Sequence, residues 1–271
     1  MHTIFEVHRH ENQKLPFYFH KNMIRSSNST DIYRWHPALE ICLCTSGNGH
    51  MLCNSVSYPF QEGELFIVNS NALHNSVSDV YMVFDCLIID ESFFDEVDID
   101  LKNLHFQQLI KDKEARQYFN RVGESFLAQE AYRIARVRSH VLNLLIYLCD
   151  HYAQPVAAYT GSASATVETA KIAIGYINAH LTERLTLDML ARETGLNKYY
   201  LCHEFKKITN HTVFSYINIS RCEKAAGLLL KQENTIQEVC RACGFENASY
   251  FTRTFEKYYG VSPSVYRKQH I

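Results

Sequence analysis

The chain has 271 residues, 46% of them hydrophobic and 13% aromatic, enough material for two domains with cores of their own. Its formal charge of −2 hides an asymmetry: residues 1–164 hold 13 Lys and Arg against 19 Asp and Glu, a net of −6, whereas residues 165–271 hold 14 against 10, a net of +4. Nine scattered cysteines exclude a disulfide-stapled scaffold, and the longest apolar run, at 141–149 and broken by Asn143, excludes a membrane span, so a soluble cytoplasmic protein with no membrane partner is expected.

From Tyr18 to Ile89 the pattern is one of short strands, at 40–44, 50–53, 55–58, 64–68 and 80–89, separated by Gly, Asn and Ser clusters. Many short strands at even spacing predict a small β-barrel or sandwich. Residues 17–20 lead into it and are expected to fold over its mouth. Arg34, Trp35, His36, Glu40 and His74 are the candidate ligand-binding residues, because they offer planar hydrogen-bonding groups and one indole face for a small polar effector such as a sugar. The segments 34–47 and 63–75 resemble the two motifs of a cupin barrel, and by that resemblance His36, Glu40 and His74 are expected to form a two-histidine, one-carboxylate set of the kind that suits a divalent metal. The fixed charge of Arg34 argues against a cation beside it, so the expectation is no metal and no cofactor.

Residues 104–124 and 130–153 then switch to helical periodicity, with Ile134, Val137, Val141, Leu144, Leu145 and Leu148 on one stripe. That stripe either covers the chain's own sheet or packs against a second copy, making these helices the dimerisation or coupling element. Small uncharged residues at 155–165 read as a linker. The expected organisation is therefore a sensor domain over 1–154, a linker over 155–166 and an all-helical domain over 167–271. Its first helix, at 168–181, carries Ile172, Ile174, Ile177 and Leu181.

An internal repeat follows. Residues 186–205, TLDMLARETGLNKYYLCHEF, and 235–255, TIQEVCRACGFENASYFTRTF, each begin with an N-cap threonine, run one short helix to a glycine (Gly195, Gly244), then place an apolar plug and a second helix. The second copy is one residue longer in its turn. This is the pattern of a helix-turn-helix: glycine permits the left-handed exit, and the second helix buries one stripe while showing the other. Leu201 and Phe205 are the buried stripe of the first copy, and Phe251 and Phe255 that of the second. Tyr199, Cys202, His203 and Lys206 are left facing out in the first, and Ala248, Ser249, Thr252, Arg253 and Glu256 in the second. Arg253 is the strongest candidate for reading a base, since a guanidinium bonds guanine O6 and N7 together. The joining segment 212–230 is expected to be a long helix, setting the readers about one DNA turn, roughly 34 Å, apart. Cys240 and Cys243 make a lone Cys-x-x-Cys without a partner pair and are read as packing residues.

The segment 236–266, with Ala242-Cys243-Gly244-Phe245, Ser249-Tyr250-Phe251, Arg253-Thr254-Phe255, Tyr259-Gly260-Val261-Ser262-Pro263 and Tyr266-Arg267, resembles the AraC/XylS family of bacterial transcription regulators, and the resemblance covers about 167–270. Asn210 stands where that family usually has Gly, and Cys240 where it usually has Ala. The resemblance implies double-stranded DNA as partner, base contacts from Tyr199, Cys202, His203, Ala248, Ser249, Thr252 and Arg253, and phosphate contacts from Lys198, Lys206, Lys207, Lys257 and Arg267. It also implies activation through RNA polymerase. Arg34, Asn69 and Asn71 are departures from the cupin motifs. The fold expected overall is α+β: a cupin-like barrel with two following helices, then two helix-turn-helix units joined by a long helix. The expected protein is a homodimeric, effector-responsive regulator and not an enzyme. A metal-dependent cupin enzyme fused to a DNA-binding domain and a ligand-independent dimeric regulator are the alternatives.

Overall fold

A computed structural model describes residues 15–26, 32–129, 131–158, 165–231 and 234–270. The chain divides into an N-terminal unit ending at Ser162 and a C-terminal unit beginning at Ala163. Within the expected linker, Pro155 closes a strand, residues 156–158 form a 3₁₀ turn and Ala165 opens a helix; residues 159–164 lie outside the described residues.

In the N-terminal unit, strand β2 (Leu39–Cys53) carries the architecture. Around it lie β1 (Phe17–Ser26), β3 (Val56–Gln61), β4 (Leu65–Val68), β5 (His74–Val77), β6 (Tyr81–Ile89), β7 (Leu104–Phe106), β8 (Leu109–Ile110) and β9 (Ala153–Pro155). Residues 39–44 of β2 pair with β4 and β6, and residues 48–53 pair with β3 and β5. A register shift between Cys44 and Ser46, followed by Gly47 at φ 77°, separates the halves. A Cβ on Gly47 would run into the Tyr81 carbonyl oxygen, so only glycine serves there. Such a bulge bends a strand and lets one segment serve two sets of partners. The two strands predicted at 40–44 and 50–53 are thus one.

The sheet runs β1-β6-β2-β4-β8, with β3 and β5 also paired to β2. Among the described strands the ends of that path do not pair, so the expected barrel-or-sandwich domain is present as a bent sheet that is open at the described edges. Residues 17–20 belong to β1 and pair with β6; they do not fold over a mouth.

Strand alternation sorts side chains onto two buried faces. Leu39, Ile41, Leu43, Leu65, Ile67, Leu87 and Ile89 share one core with three helices, α1 (Glu91–Glu96), α2 (Lys113–Leu127) and α3 (Arg133–Tyr152). Cys42, Cys44, Phe66, Val68, Phe84, Cys86 and Ile88 form the other. In α3, Val137, Val141, Leu144, Leu145 and Leu148 are all 0% exposed against the first core, so the helical stripe covers its own sheet and is not a surface for a second copy. The helix predicted at 104–124 starts late. Asn69 holds Phe106 by two bonds, Nδ2 to its carbonyl at 2.8 Å and its N–H to Oδ1 at 2.7 Å, which commits 104–110 to strand before Asp112 caps α2.

The C-terminal unit contains α4 (Ala165–Ala179), α5 (Leu187–Thr194), α6 (Lys198–Thr209), α7 (Val213–Leu229), α8 (Ile236–Ala242), α9 (Ala248–Tyr259) and α10 (Pro263–His270). In α4 the buried positions are Val167, Ala170, Ala173, Ile174 and Ile177, while Ile172 is exposed. Helix α7 is apolar on most sides because both helix pairs pack on it; Val213, Tyr216, Ile217, Cys222, Ala226 and Leu229 are buried. Its 17 residues span about 25 Å at ~1.5 Å per residue. That is short of the roughly 34 Å of one DNA turn, so helix length alone does not set the spacing of the readers.

Candidate nucleic-acid interface and effector site

The two helix-turn-helix units are built by the same local chemistry. Thr186 caps α5 by accepting from Met189 N–H at 3.3 Å, and Thr235 caps α8 in a capping box closed by Glu238. Gly195 and Gly244 take left-handed φ values of 68° and 79°. The recognition helices carry caps that sequence reasoning missed: Asn197 accepts from Tyr200 N–H at 2.9 Å, and Asn247 from Tyr250 N–H at 3.0 Å. The available signal was an Asn directly before each second helix. Asn210 ends α6 at φ 57°, where Gly260 ends α9 at φ 72°, so Asn serves as the left-handed stop. Each helix is then locked by an edge-on aromatic pair, Phe205 with Tyr216 at 5.5 Å and Phe255 with Tyr266 at 5.4 Å.

These supports fix which face each helix shows. From Leu201 to Lys207 and from Phe251 to Lys257 the alternation of buried, half-buried and exposed positions is the same, residue for residue. Tyr199 is 90% exposed, His203, Lys206 and Lys207 are exposed, and Cys202 is half-buried. Ala248, Ser249, Arg253, Glu256 and Lys257 are exposed and Thr252 is half-buried, while Phe251 and Phe255 are 0% exposed. Every predicted base-reading position is therefore at least partly exposed.

The side chains are not equally free. His203 Nδ1 donates to Glu204 Oε1 at 3.0 Å, which orients the ring and leaves Nε2 facing outward. His203 and then Thr166 hold the Glu204 carboxyl below the usual carboxylate range by hydrogen bonding. Lys198 is ion-paired with Asp188 at 2.7 Å. No hydrogen bond or ion pair to Arg253 is found among the described residues. Arg267 corrects the sequence reading: Nε donates to the Leu229 carbonyl at 3.1 Å and Nη2 to that of Asn234 at 2.6 Å, so its guanidinium ties the end of α7 to α10. Cys240 and Cys243 are buried, and Cys240 Sγ donates to the Phe245 carbonyl at 3.5 Å, which fits packing.

In the N-terminal unit three of the five predicted ligand-binding residues converge. Glu40 Oε2 lies 3.3 Å from His36 Nε2 and 3.3 Å from His74 Nε2, with the two rings edge-on at 5.0 Å. β2 supplies Glu40, the pairing of β5 with the tail of β2 supplies His74, and the segment before β2 supplies His36. Arg34 is half-buried, and its backbone pairs both ways with His74 at 2.9 and 2.8 Å; Trp35 is half-buried beside it. Sequence reasoning missed two thiols. Cys42 and Cys86, register partners on β2 and β6, both donate to Glu40 Oε1, at 3.3 and 3.1 Å. Burial pushes the Cys42 thiol up to about 12, so it stays a donor. Burial also pushes the Glu40 carboxyl upward, but the two imidazoles outweigh this and hold it well below the usual range.

Comparison with known proteins agrees with both halves. A family model described as a helix-turn-helix domain matches residues 190–269, and one described as an AraC-like ligand binding domain matches residues 25–140. An uncharacterized HTH-type transcriptional regulator of Bacillus subtilis strain 168, YobQ, is 40% identical over 94 residues, 35% of this chain and 39% of that protein. The regulatory protein PocR of Salmonella typhimurium is 35% identical over 99 residues, 36% of this chain and 33% of that protein. The chain thus spans well under half the length of these relatives. The solved structure of ToxT from Vibrio cholerae is similar with a TM-score of 0.51 at 17% identity, over 93% of this chain and 98% of that one, which shows a shared fold. Among the described residues no helix is long and apolar enough to cross a membrane. Two matched helix-turn-helix units following an AraC-like ligand-binding domain place this chain in the AraC/XylS family of DNA-binding transcription regulators.

Proposed function

We propose that this protein binds specific double-stranded DNA by laying α6 and α9 into successive major-groove segments, under the control of a small effector held in the N-terminal unit. The observation that carries this reading is the repeated surface pattern of the two recognition helices, each held by an Asn cap and an edge-on aromatic lock. Tyr199, Cys202, His203, Ala248, Ser249, Thr252 and Arg253 are assigned to bases, and Lys198, Lys206, Lys207 and Lys257 to phosphates.

The protein acts by binding in the cytoplasm and not by turnover, with 1–154 as sensor, 155–166 as linker and 167–271 as reader. Family membership supports activation through RNA polymerase. A homodimer supplies the avidity that two weak readers need, and the exposed Leu127 and Ile146 of the helical layer are candidates for its contact. The expected sugar effector is not favoured at His36, Glu40 and His74: two imidazoles and two thiols already engage the Glu40 oxygens that hydroxyls would use.

Selection of the full chain against a pool of random duplexes, followed by footprinting, tests the reading. The expected product is a bipartite site with half-contacts about 10 base pairs apart on one face. A pool that shows no enriched sequence after selection overturns it.

A further inference from the structure

The two helix-turn-helix units leave a cavity of about 630 Å³ between them, within the size range of small-molecule sites. Three parts of the C-terminal unit line it: the segment between α4 and α5, one side of α7, and the turn that leads into α9. Gly244 lets the first and last of these meet, since a Cβ there would lie 2.8 Å from the Thr182 Cα and carbonyl oxygen. Along α9 the reading positions 248, 249, 252, 253 and 256 share one side, and at about 100° per residue Tyr250 stands off it. The cavity therefore lies beside the reading face, and none of the base assignments uses it.

Its lining sorts into three kinds of chemistry. The first is a flat apolar surface with polar edges. Phe214 and Tyr250 are 50% and 46% exposed, beside Phe245. Asn218 Nδ2 donates to the Tyr250 hydroxyl at 2.9 Å, and Asn247 Oδ1 accepts from the Tyr250 N–H at 3.0 Å. An acceptor, Asn218 Oδ1, and a donor, Asn247 Nδ2, remain next to the rings, and no bond to either is found among the described residues. A planar base, with donors and acceptors along its edge, satisfies rings and amides together. The second kind is cationic. Arg221 donates from Nε to the Leu181 carbonyl at 2.9 Å and from Nη2 to that of Glu183 at 2.7 Å, which fixes its guanidinium over Phe245. Arg184 and Arg241 are exposed, and no hydrogen bond or ion pair to them is found among the described residues. Such guanidinium groups pair with phosphate. The third kind is acidic: Glu183 and Glu246 would repel a simple carboxylate but accept hydrogen bonds from sugar hydroxyls.

We propose that this cavity binds a free ribonucleoside monophosphate, with its base against Phe214 and Tyr250, its phosphate at Arg184 and Arg241, and its sugar hydroxyls at Glu183 and Glu246. A molecule seated there touches both helix-turn-helix units and favours one placement of them, which is how a ligand biases the grip on DNA. The assignment is independent of the DNA reading, because a chain that takes up no nucleotide still presents α6 and α9.

The test is calorimetric titration of the full chain with AMP, GMP, CMP and UMP in turn, at fixed salt. At least one should bind with one molecule per chain. Its nucleoside, its 2′-deoxy form and inorganic phosphate should each bind about tenfold or more weaker, because each lacks one of the three contacts. Arg184→Ala, Arg241→Ala and Phe214→Ala should each weaken the nucleotide by about tenfold, whereas Lys268→Ala, at an exposed position of α10, should not change it. The nucleotide should also raise the melting temperature of the wild type, a reading that does not depend on how well any variant folds. No binding by any of the four, no rise in melting temperature, equal binding of the deoxynucleotide, or uptake unchanged when Arg184 and Arg241 are both replaced would each overturn the assignment.

Discussion

Replacing Arg253 by alanine separates base reading from folding, because no hydrogen bond or ion pair to this exposed side chain is found among the described residues. Its removal should leave the melting temperature nearly unchanged, as surface substitutions without partners shift stability by about 0.5 kcal/mol or less. On DNA the loss is different. A bidentate contact to guanine is worth about 1–3 kcal/mol, which is roughly 5- to 140-fold in affinity at ~1.4 kcal/mol per decade. The assay is fluorescence anisotropy on the selected site and on each single-base variant of it, at fixed salt. Wild type should discriminate at one position within the half-contact of α9, and Arg253→Ala should lose that discrimination while keeping the rest. Its salt dependence should stay unchanged, because no phosphate contact is removed. Lys207→Ala is the contrast: it should weaken all duplexes alike and reduce the salt slope by about one ion. Equal losses on every duplex for Arg253→Ala would refute the assignment of this residue to a base.

The remaining predictions concern the frame. Asn247→Ala removes the cap of α9 and should cost about 1 kcal/mol of stability in urea unfolding, with Asn197→Ala similar in α6. Arg267→Ala should lower the melting temperature while leaving the salt slope of DNA binding unchanged; a flattened slope would return Arg267 to the phosphate contacts. Leu144→Ala, at a position 0% exposed, should cost about 2–5 kcal/mol. Asp112 gives a pH test: the hydrogen bond from Tyr147 at 2.6 Å, with that from Tyr152 at 2.9 Å, holds its carboxyl below the usual range. A depressed carboxyl stabilises the fold above its unfolded pKa of 3.8 and loses that contribution as pH falls further, through its folded value. The gap in melting temperature between wild type and Asp112→Asn should therefore be full at pH 7 and shrink below about pH 4.

Legibility in the sequence followed the range of the interactions. The C-terminal unit is specified by contacts within a few residues: threonine caps, left-handed stops at Gly195, Asn210 and Gly260, and apolar residues four apart. Each leaves a local mark, so helices, turns and exposed faces could all be read. The N-terminal sheet is specified at long range. The bulge near Gly47 joins two apparent strands, and polar β5 is a strand because β2 pairs with it. Residues 104–110 have helical spacing, yet Asn69 commits them to strand from more than thirty residues away. Arg267 looked like a phosphate ligand for the same reason, since the carbonyls that hold it lie on distant segments. At Glu40 the participating histidines were legible, but the ring orientation depends on the backbone path that presents the Ala38 and Ala72 carbonyls.

The two readers share a frame and differ in what they display. Where α6 shows His203 and Lys206, α9 shows Arg253 and Glu256 at the matching positions. A carboxylate on a surface meant for a polyanion repels phosphate, so α9 gains less from electrostatics than α6 and depends more on correct base contacts. Helix α6 has two lysines in its last turn, where they complement the helix dipole. On the proposed reading, the first unit is expected to contribute more sequence-independent grip and the second more discrimination. A mismatch opposite α9 should then cost more specificity than an equal mismatch opposite α6, and that difference gives the protein a preferred direction on its site.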